Sequence, residues 1–162
     1  MRELPKNQLS PKIKRVWRLN DAIWLTFSFL ACAFVFAMIY ASSGEAWGLV
    51  VLLALLAFYA VGMIVFLVVI PPIRHIRWRY ELNDDFLDIA RGIVWKKRFI
   101  IPFIRVQNTD TQQGPILRAF GLASVTVSTA AGNHSIPGLD FATAEQLRDR
   151  AAELARIAQE DV

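Results

Sequence analysis

Two uncharged apolar runs, residues 22–41 and 47–70, stand almost back to back in this chain, separated only by Ser42-Ser43-Gly44-Glu45-Ala46. Twenty and twenty-four residues at ~1.5 Å per helical residue give roughly 30 and 36 Å, enough to cross the hydrocarbon core of a bilayer. A chain built this way is expected to form a transmembrane helical hairpin. Its remaining residues then have to fold at the membrane surface. Pro71-Pro72 closes the second run and is expected to stop its helix.

The charges give the hairpin a direction. Arg2, Lys6, Lys12, Lys14, Arg15 and Arg18 precede the first run, Arg74, Arg77 and Arg79 follow the second, and the connection carries only Glu45. The positive-inside rule therefore predicts both termini in the cytoplasm of a two-span protein of the cell membrane. From His75 onward eleven basic residues face eleven acidic ones, so the formal net charge of +4 belongs to the membrane flanks and not to the following domain. That distribution speaks against a nucleic-acid partner and for attraction to acidic headgroups. Residues 1–21 form a basic juxtamembrane segment. Within it, residues 11–20 mix Ile13, Val16 and Trp17 with four cations, as an interfacial helix on the inner leaflet would.

The spans themselves offer little chemistry. Neither contains Asp, Glu, Lys, Arg or His, which argues against a proton relay or ion path. Cys32, the single cysteine, lies inside the first run; Phe29-Leu30-Ala31-Cys32 resembles a lipoprotein box, but the apolar run continues past it, and a retained span is expected. Ala33, Ala37 and Ala41 repeat at four-residue spacing, and Gly44, Gly48, Ala54 and Gly62 supply small residues to the second span, favouring packing inside the hairpin. Trp24, Tyr40 and Trp47 are expected at the interfaces.

From residue 76 the pattern changes to that of short strands. Trp78, Tyr80 and Leu82 alternate with charged residues, Asn83-Asp84-Asp85 is a turn, and Phe86, Leu87 and Ile89 open a second strand. Residues 95–101 form a third, ended by Pro102; Ile104 and Val106 mark a fourth, residues 125–129 another and residues 134–136 a short last one. Residues 143–159 read as a helix, with Thr143 and Gln146 as a capping box and Leu147, Ala151, Leu154, Ala155 and Ala158 on one face. The fold class is thus a membrane α-helical hairpin plus a small α+β, mostly-β domain over residues 76–162: a curved antiparallel sheet capped by a C-terminal helix.

Several residues in order carry a family likeness: Tyr80-Glu81-Leu82 with Asp84-Asp85, Gly92, Ile101-Pro102, Arg105-Val106-Gln107-Asn108, Gln113-Gly114-Pro115-Ile116, Arg118-Ala119-Phe120-Gly121-Leu122 and Ala130-Ala131-Gly132. In these the chain resembles the bacterial pleckstrin-homology-like domain of YdbS-like membrane-flanked proteins, and the two preceding spans fit the same family. The resemblance implies a seven-strand sheet capped by a helix, no enzymatic activity, and assembly with a second membrane protein bearing several such domains.

Read by their chemistry, Gly92, Gly114 and Gly121 are expected at turns needing positive φ or close approach, with Pro115 fixing a turn and Phe120 and Leu122 in the core. Gln107, Gln113 and Arg118 either tie a loop to the sheet or line a ligand site. Lys96-Lys97-Arg98, between Trp95 and Phe99, is the candidate surface site. Three cations and an aromatic can dock on an acidic leaflet; alternatively the strand has a solvated charged face with Trp95 and Phe99 in the core. His75 and His134 are expected in solvent, Asp84, Asp85 and Asp88 lack further acidic residues at cation-loop spacing, and no Ser stands in a nucleophile motif. No cofactor, metal or small-molecule substrate is expected. Two functions follow: a membrane-anchored interaction module, or a headgroup-sensing surface using Lys96-Lys97-Arg98.

Overall fold

The computed structural model describes residues 3–43 and 48–160. The connection residues 44–47, with Gly44, Glu45 and the expected interfacial Trp47, lie outside the described residues, as do Arg2 and the last two positions. The chain divides into two compact units: residues 17–72, and a second unit formed by residues 1–16 together with residues 73–162.

The first unit is the hairpin. Its helices, α1 (Ile13–Ser43) and α2 (Gly48–Ile64), are continued by a π-helical turn (Val65–Val69) and α3 (Ile70–Arg77). Both helical runs are long and apolar enough to cross a membrane. Gly48 is buried beside Tyr40, whose ring would overlap a Cβ at that position, and Gly62 lies across from Leu25. The Thr26 and Tyr59 hydroxyls are 3.0 Å apart, so each polar group has a partner in an apolar setting, and Tyr59 stacks on Phe29 at 4.5 Å. Of the alanine stripe, Ala33 is half-buried while Ala37 and Ala41 are exposed, and Gly48 and Gly62 of the second helix make close approaches to the first.

Pro71-Pro72 does not stop the helix, contrary to the sequence expectation. The π turn, in which the Ile70 N–H bonds to the Val65 carbonyl, resets the hydrogen-bond register. The prolines then fall in the first turn of α3, directly after the π turn, and the helical run continues through them to Arg77.

Among the described residues the second unit holds seven strands in two antiparallel sheets. One has the order β1-β2-β3-β4, built from β1 (Asn7–Gln8), β2 (Arg79–Leu82), β3 (Phe86–Arg91) and β4 (Lys97–Pro102). The other has the order β5-β6-β7, from β5 (Val106–Gln112), β6 (Leu122–Thr129) and β7 (Gly132–Asp140). A 3-10 turn (Phe103–Arg105) joins the sheets, α4 (Pro115–Ala119) links β5 to β6, and α5 (Phe141–Glu160) packs over β5, β6 and the 3-10 turn. Period-2 alternation explains the core: Leu87, Ile89 and Ile101 from one sheet and Leu122, Val125, Val127 and Ile136 from the other are buried with Phe103. Ala144, Leu147, Ala151, Leu154 and Ala155 of α5 close it. The helix starts two residues before Thr143, so that residue lies inside the first turn and the expected capping box is not at the helix end.

The largest departure from expectation concerns the N-terminus. Residues 1–21 are not a separate interfacial segment, because their first part belongs to the sheet domain. Asn7 and Gln8 pair with Tyr80 and Arg79, Leu9 and Ile13 are 2% and 1% exposed, and the Ser10 N–H donates to the Gly138 carbonyl. Gly138 has φ +66°, and a Cβ there would overlap Ile13, so a larger residue is excluded by both backbone and space. His75, expected in solvent, is buried with Nε2 2.9 Å from the Leu9 carbonyl. The domain is therefore discontinuous in sequence, with the hairpin inserted between β1 and β2.

Candidate functional site

The loop between β3 and β4, residues 92–96, is set by Gly92. Its φ is +115°, and a Cβ there would overlap the Trp95 carbonyl, so only glycine lets the chain double back this tightly. The consequence is an apolar tip: Val94 is 82% exposed and Trp95 81%. Trp95 therefore does not sit in the core, whereas Phe99 is half-buried on β4.

Beside this loop lies a cleft of about 400 Å³. Arg77 from the end of α3, Arg79 from β2, and Lys96 and Lys97 line it, with Leu4 and Ile76 at its apolar margin. The sequence placed Arg77 and Arg79 in one basic cluster and Lys96 and Lys97 in another; the fold brings them together. None of the ion pairs among the described residues involves these four cations.

Arg98 is the exception within the predicted cationic triplet. Register pairs Asp88 with Ile100, which puts Arg98 diagonally across from Asp88 on the same face. Arg98 Nε donates to both Asp88 oxygens at 3.0 and 3.1 Å, and Nη2 donates to Oδ2 at 2.6 Å. The Asp88 side chain is only 3% exposed, and Arg98 Nη2 also reaches the Glu3 carbonyl at 2.7 Å. The Asp88 hydrogen bonds hold the guanidinium's pKa above its ordinary range. Arg98 holds β3, β4 and the N-terminal strap together while remaining exposed along the wall of the cleft.

A second ladder runs on from Arg91. Its guanidinium lies 5.1 Å from the Phe99 ring and 5.9 Å from that of Trp78, and Phe99 in turn meets His134 at 4.9 Å. His134 is thus half-buried in strand β7 and not solvated in a turn. Burial, and then the charge of Arg91, lower its pKa below the ordinary 6.5. Because the folded pKa is the lower one, neutral His134 supports folding above pH ~6.5, and that support is lost as pH falls toward the folded value. Thermal unfolding of the full protein in detergent should show a stability loss on acidification through this window, which His134→Phe reduces.

The other expected positions scatter. Lys12 pairs with Asp140 at 3.1 Å, Lys14 is half-buried, and Arg15 and Arg18 are exposed along α1, while Arg74 is half-buried in α3. Pro102 ends β4 and precedes the 3-10 turn. Gln107 is exposed beside the irregularity between Val106 and Asn108, and Arg118 is exposed on α4, so neither forms a buried network. Gln113 does tie its loop to the sheet, donating to the Leu122 carbonyl at 2.9 Å. Gly121 has positive φ, but Gly114 is an ordinary extended residue before the Pro115 start of α4, and Phe120 is half-buried. Among the described residues no group of three or more His, Cys, Asp or Glu could hold a metal.

A second concavity, of about 490 Å³, is lined by the end of β4, the 3-10 turn, the start of β5 and the β6–β7 turn. Ile100 and Ile104 line it at 45% and 48% exposure, with Arg105, Gln107 and His134 around them. Sequence reasoning did not find this groove, because it arises where two separate sheets end beside each other.

The family described as Bacterial PH domain matches residues 22–155, which covers the hairpin as well as most of the sheet domain. The chain is also similar to the UPF0699 transmembrane protein YdbS of Bacillus subtilis (strain 168), 43% identical over 162 residues, all of both chains. No solved structure matches it significantly.

Proposed function

The chain belongs to the bacterial PH domain family and is a membrane protein with two spans and a PH-like domain, and from that premise we propose that it displays this domain at the cytoplasmic leaflet to assemble with another membrane protein bearing domains of the same kind. The role is non-catalytic. Two arguments support the placement. Strand β1 before the hairpin pairs with β2 after it, which requires both flanks on one side of the bilayer. The basic excess of those flanks favours the cytoplasmic side.

The groove between β4 and β5 is the observation that carries the assembly. Among the described residues both strands are sheet edges with no strand neighbour on the outer side, and exposed Ile100 on β4 and Ile104 in the 3-10 turn line the groove. A partner's PH-like domain can add a strand of its own to such an edge and cover the two isoleucines. Full-length protein purified from its native membrane in mild detergent should retain a stoichiometric membrane protein with PH-like domains. Ile100→Glu with Ile104→Glu should release that partner, since both side chains are solvent-facing and their change leaves the core intact. Purification of the wild type without such a partner overturns the reading.

A further inference from the structure

We propose that the basic cleft beside the β3–β4 loop binds the headgroup of an acidic phospholipid of the membrane that anchors the chain, with Val94 and Trp95 entering the interfacial layer. This site is separate from the groove at Ile100 and Ile104 and needs no protein partner.

The charge argument comes first. Six cations line one cleft, and four of them, Arg77, Arg79, Lys96 and Lys97, have no acidic partner among the described residues. Neighbouring cations are handled differently: Arg98 is neutralised by Asp88, and Arg91 lies over two aromatic rings. Like charges brought together without compensation repel, and a bound phosphate relieves that repulsion. Because the domain from His75 onward carries equal numbers of acidic and basic residues, the excess is local to this cleft and does not form the broad basic face that a nucleic acid requires.

The surroundings select a lipid over a free anion. Leu4, Ile76, Val94 and Trp95 are 66%, 60%, 82% and 81% exposed. Leu4 and Ile76 line the cleft itself, and Val94 and Trp95 immediately precede Lys96 in the loop. A soluble phosphate gives such a rim nothing to bury. A lipid offers the phosphate and, next to it, an apolar layer suited to tryptophan. Chain connectivity supplies proximity, since Arg77 follows the end of the second apolar run by seven residues. Even fully extended, that distance is at most about 25 Å.

The test uses full-length protein in an uncharged detergent, titrated with short-chain phosphatidylglycerol, short-chain phosphatidylcholine or inorganic phosphate. Binding is followed by the Trp95 contribution to fluorescence, taken as the difference from Trp95→Phe, and by native mass spectrometry. The phosphatidylglycerol should bind with a blue shift of Trp95, and the phosphatidylcholine should bind far more weakly. At about five-fold per cation near an acidic surface, K96Q/K97Q and R77Q/R79Q should each weaken binding roughly 25-fold. Trp95→Ser should weaken the lipid but leave inorganic phosphate unchanged. Equal binding of the two lipids, no loss in K96Q/K97Q, or phosphate binding as tightly as phosphatidylglycerol each overturns the proposal. Partner retention through Ile100 and Ile104 is read separately, so failure of one site does not imply failure of the other.

Discussion

Deleting residues 1–12 is expected to leave two apolar spans but to abolish cooperative unfolding of the domain that follows them. The deletion removes β1, the buried Leu9 and fully buried Pro5, and it strips Ile13 of its neighbours along the strap. Two fixed hydrogen bonds go with it: Ser10 N–H to Gly138, and His75 Nε2 to the Leu9 carbonyl, the latter leaving a buried imidazole nitrogen unserved. Truncating a buried leucine or isoleucine to alanine costs about 2–5 kcal/mol. Leu9→Ala and Ile13→Ala together therefore approach the total stability of an ordinary domain, about 5–15 kcal/mol. Hydrogen exchange of the full-length protein in detergent gives the readout: amides of β2 and β7 should lose protection in the deletion and partly in the single variants. Unchanged protection in the deletion would show that the strap is dispensable.

The second large effect is expected at Arg98. Replacing it with methionine leaves the Asp88 carboxylate buried with no cation, the situation in which breaking an ion pair is most costly. It also frees the Glu3 carbonyl from its donor, loosening the same strap. Arg98→Met should lower the melting temperature far more than Lys96→Ala or Lys97→Ala, although the three residues are adjacent in sequence. Asp88→Leu with Arg98→Met, which removes both charges, should recover much of the loss. Equal effects from all three single variants would mean that the pair contributes no more than an exposed charge.

That contrast shows what the residues alone could reveal. The hairpin was legible because no ionisable residue interrupts either run, and most strands were legible through period-2 alternation, as in Leu87 and Ile89 or Val125 and Val127. Lys96 and Lys97 are exposed in the fold, as a run of charges suggests. Arg98 looked the same in sequence, because only the β3–β4 register puts it diagonal to Asp88. Strand β1 had no signal to give: it is two polar residues long, and its partner lies across the whole hairpin. The burial of His75 follows from the same long-range pairing. Pro71-Pro72 misled because a π turn upstream changed the register in which the prolines were met. The cleft joins α3, β2 and the β3–β4 loop, so Arg77, Arg79, Lys96 and Lys97 became one site only after folding.

The insertion of the hairpin between β1 and β2 also makes domain folding a check on membrane insertion. Asn7 and Gln8 are synthesised early, yet their partners Tyr80 and Arg79 emerge only after both apolar runs have left the ribosome. A chain that threads only one run strands the two halves of this sheet on opposite faces of the bilayer, where no pairing is possible. Correctly threaded molecules alone bury Leu9 and Ile13; misthreaded ones keep these residues exposed, where quality-control proteases find them.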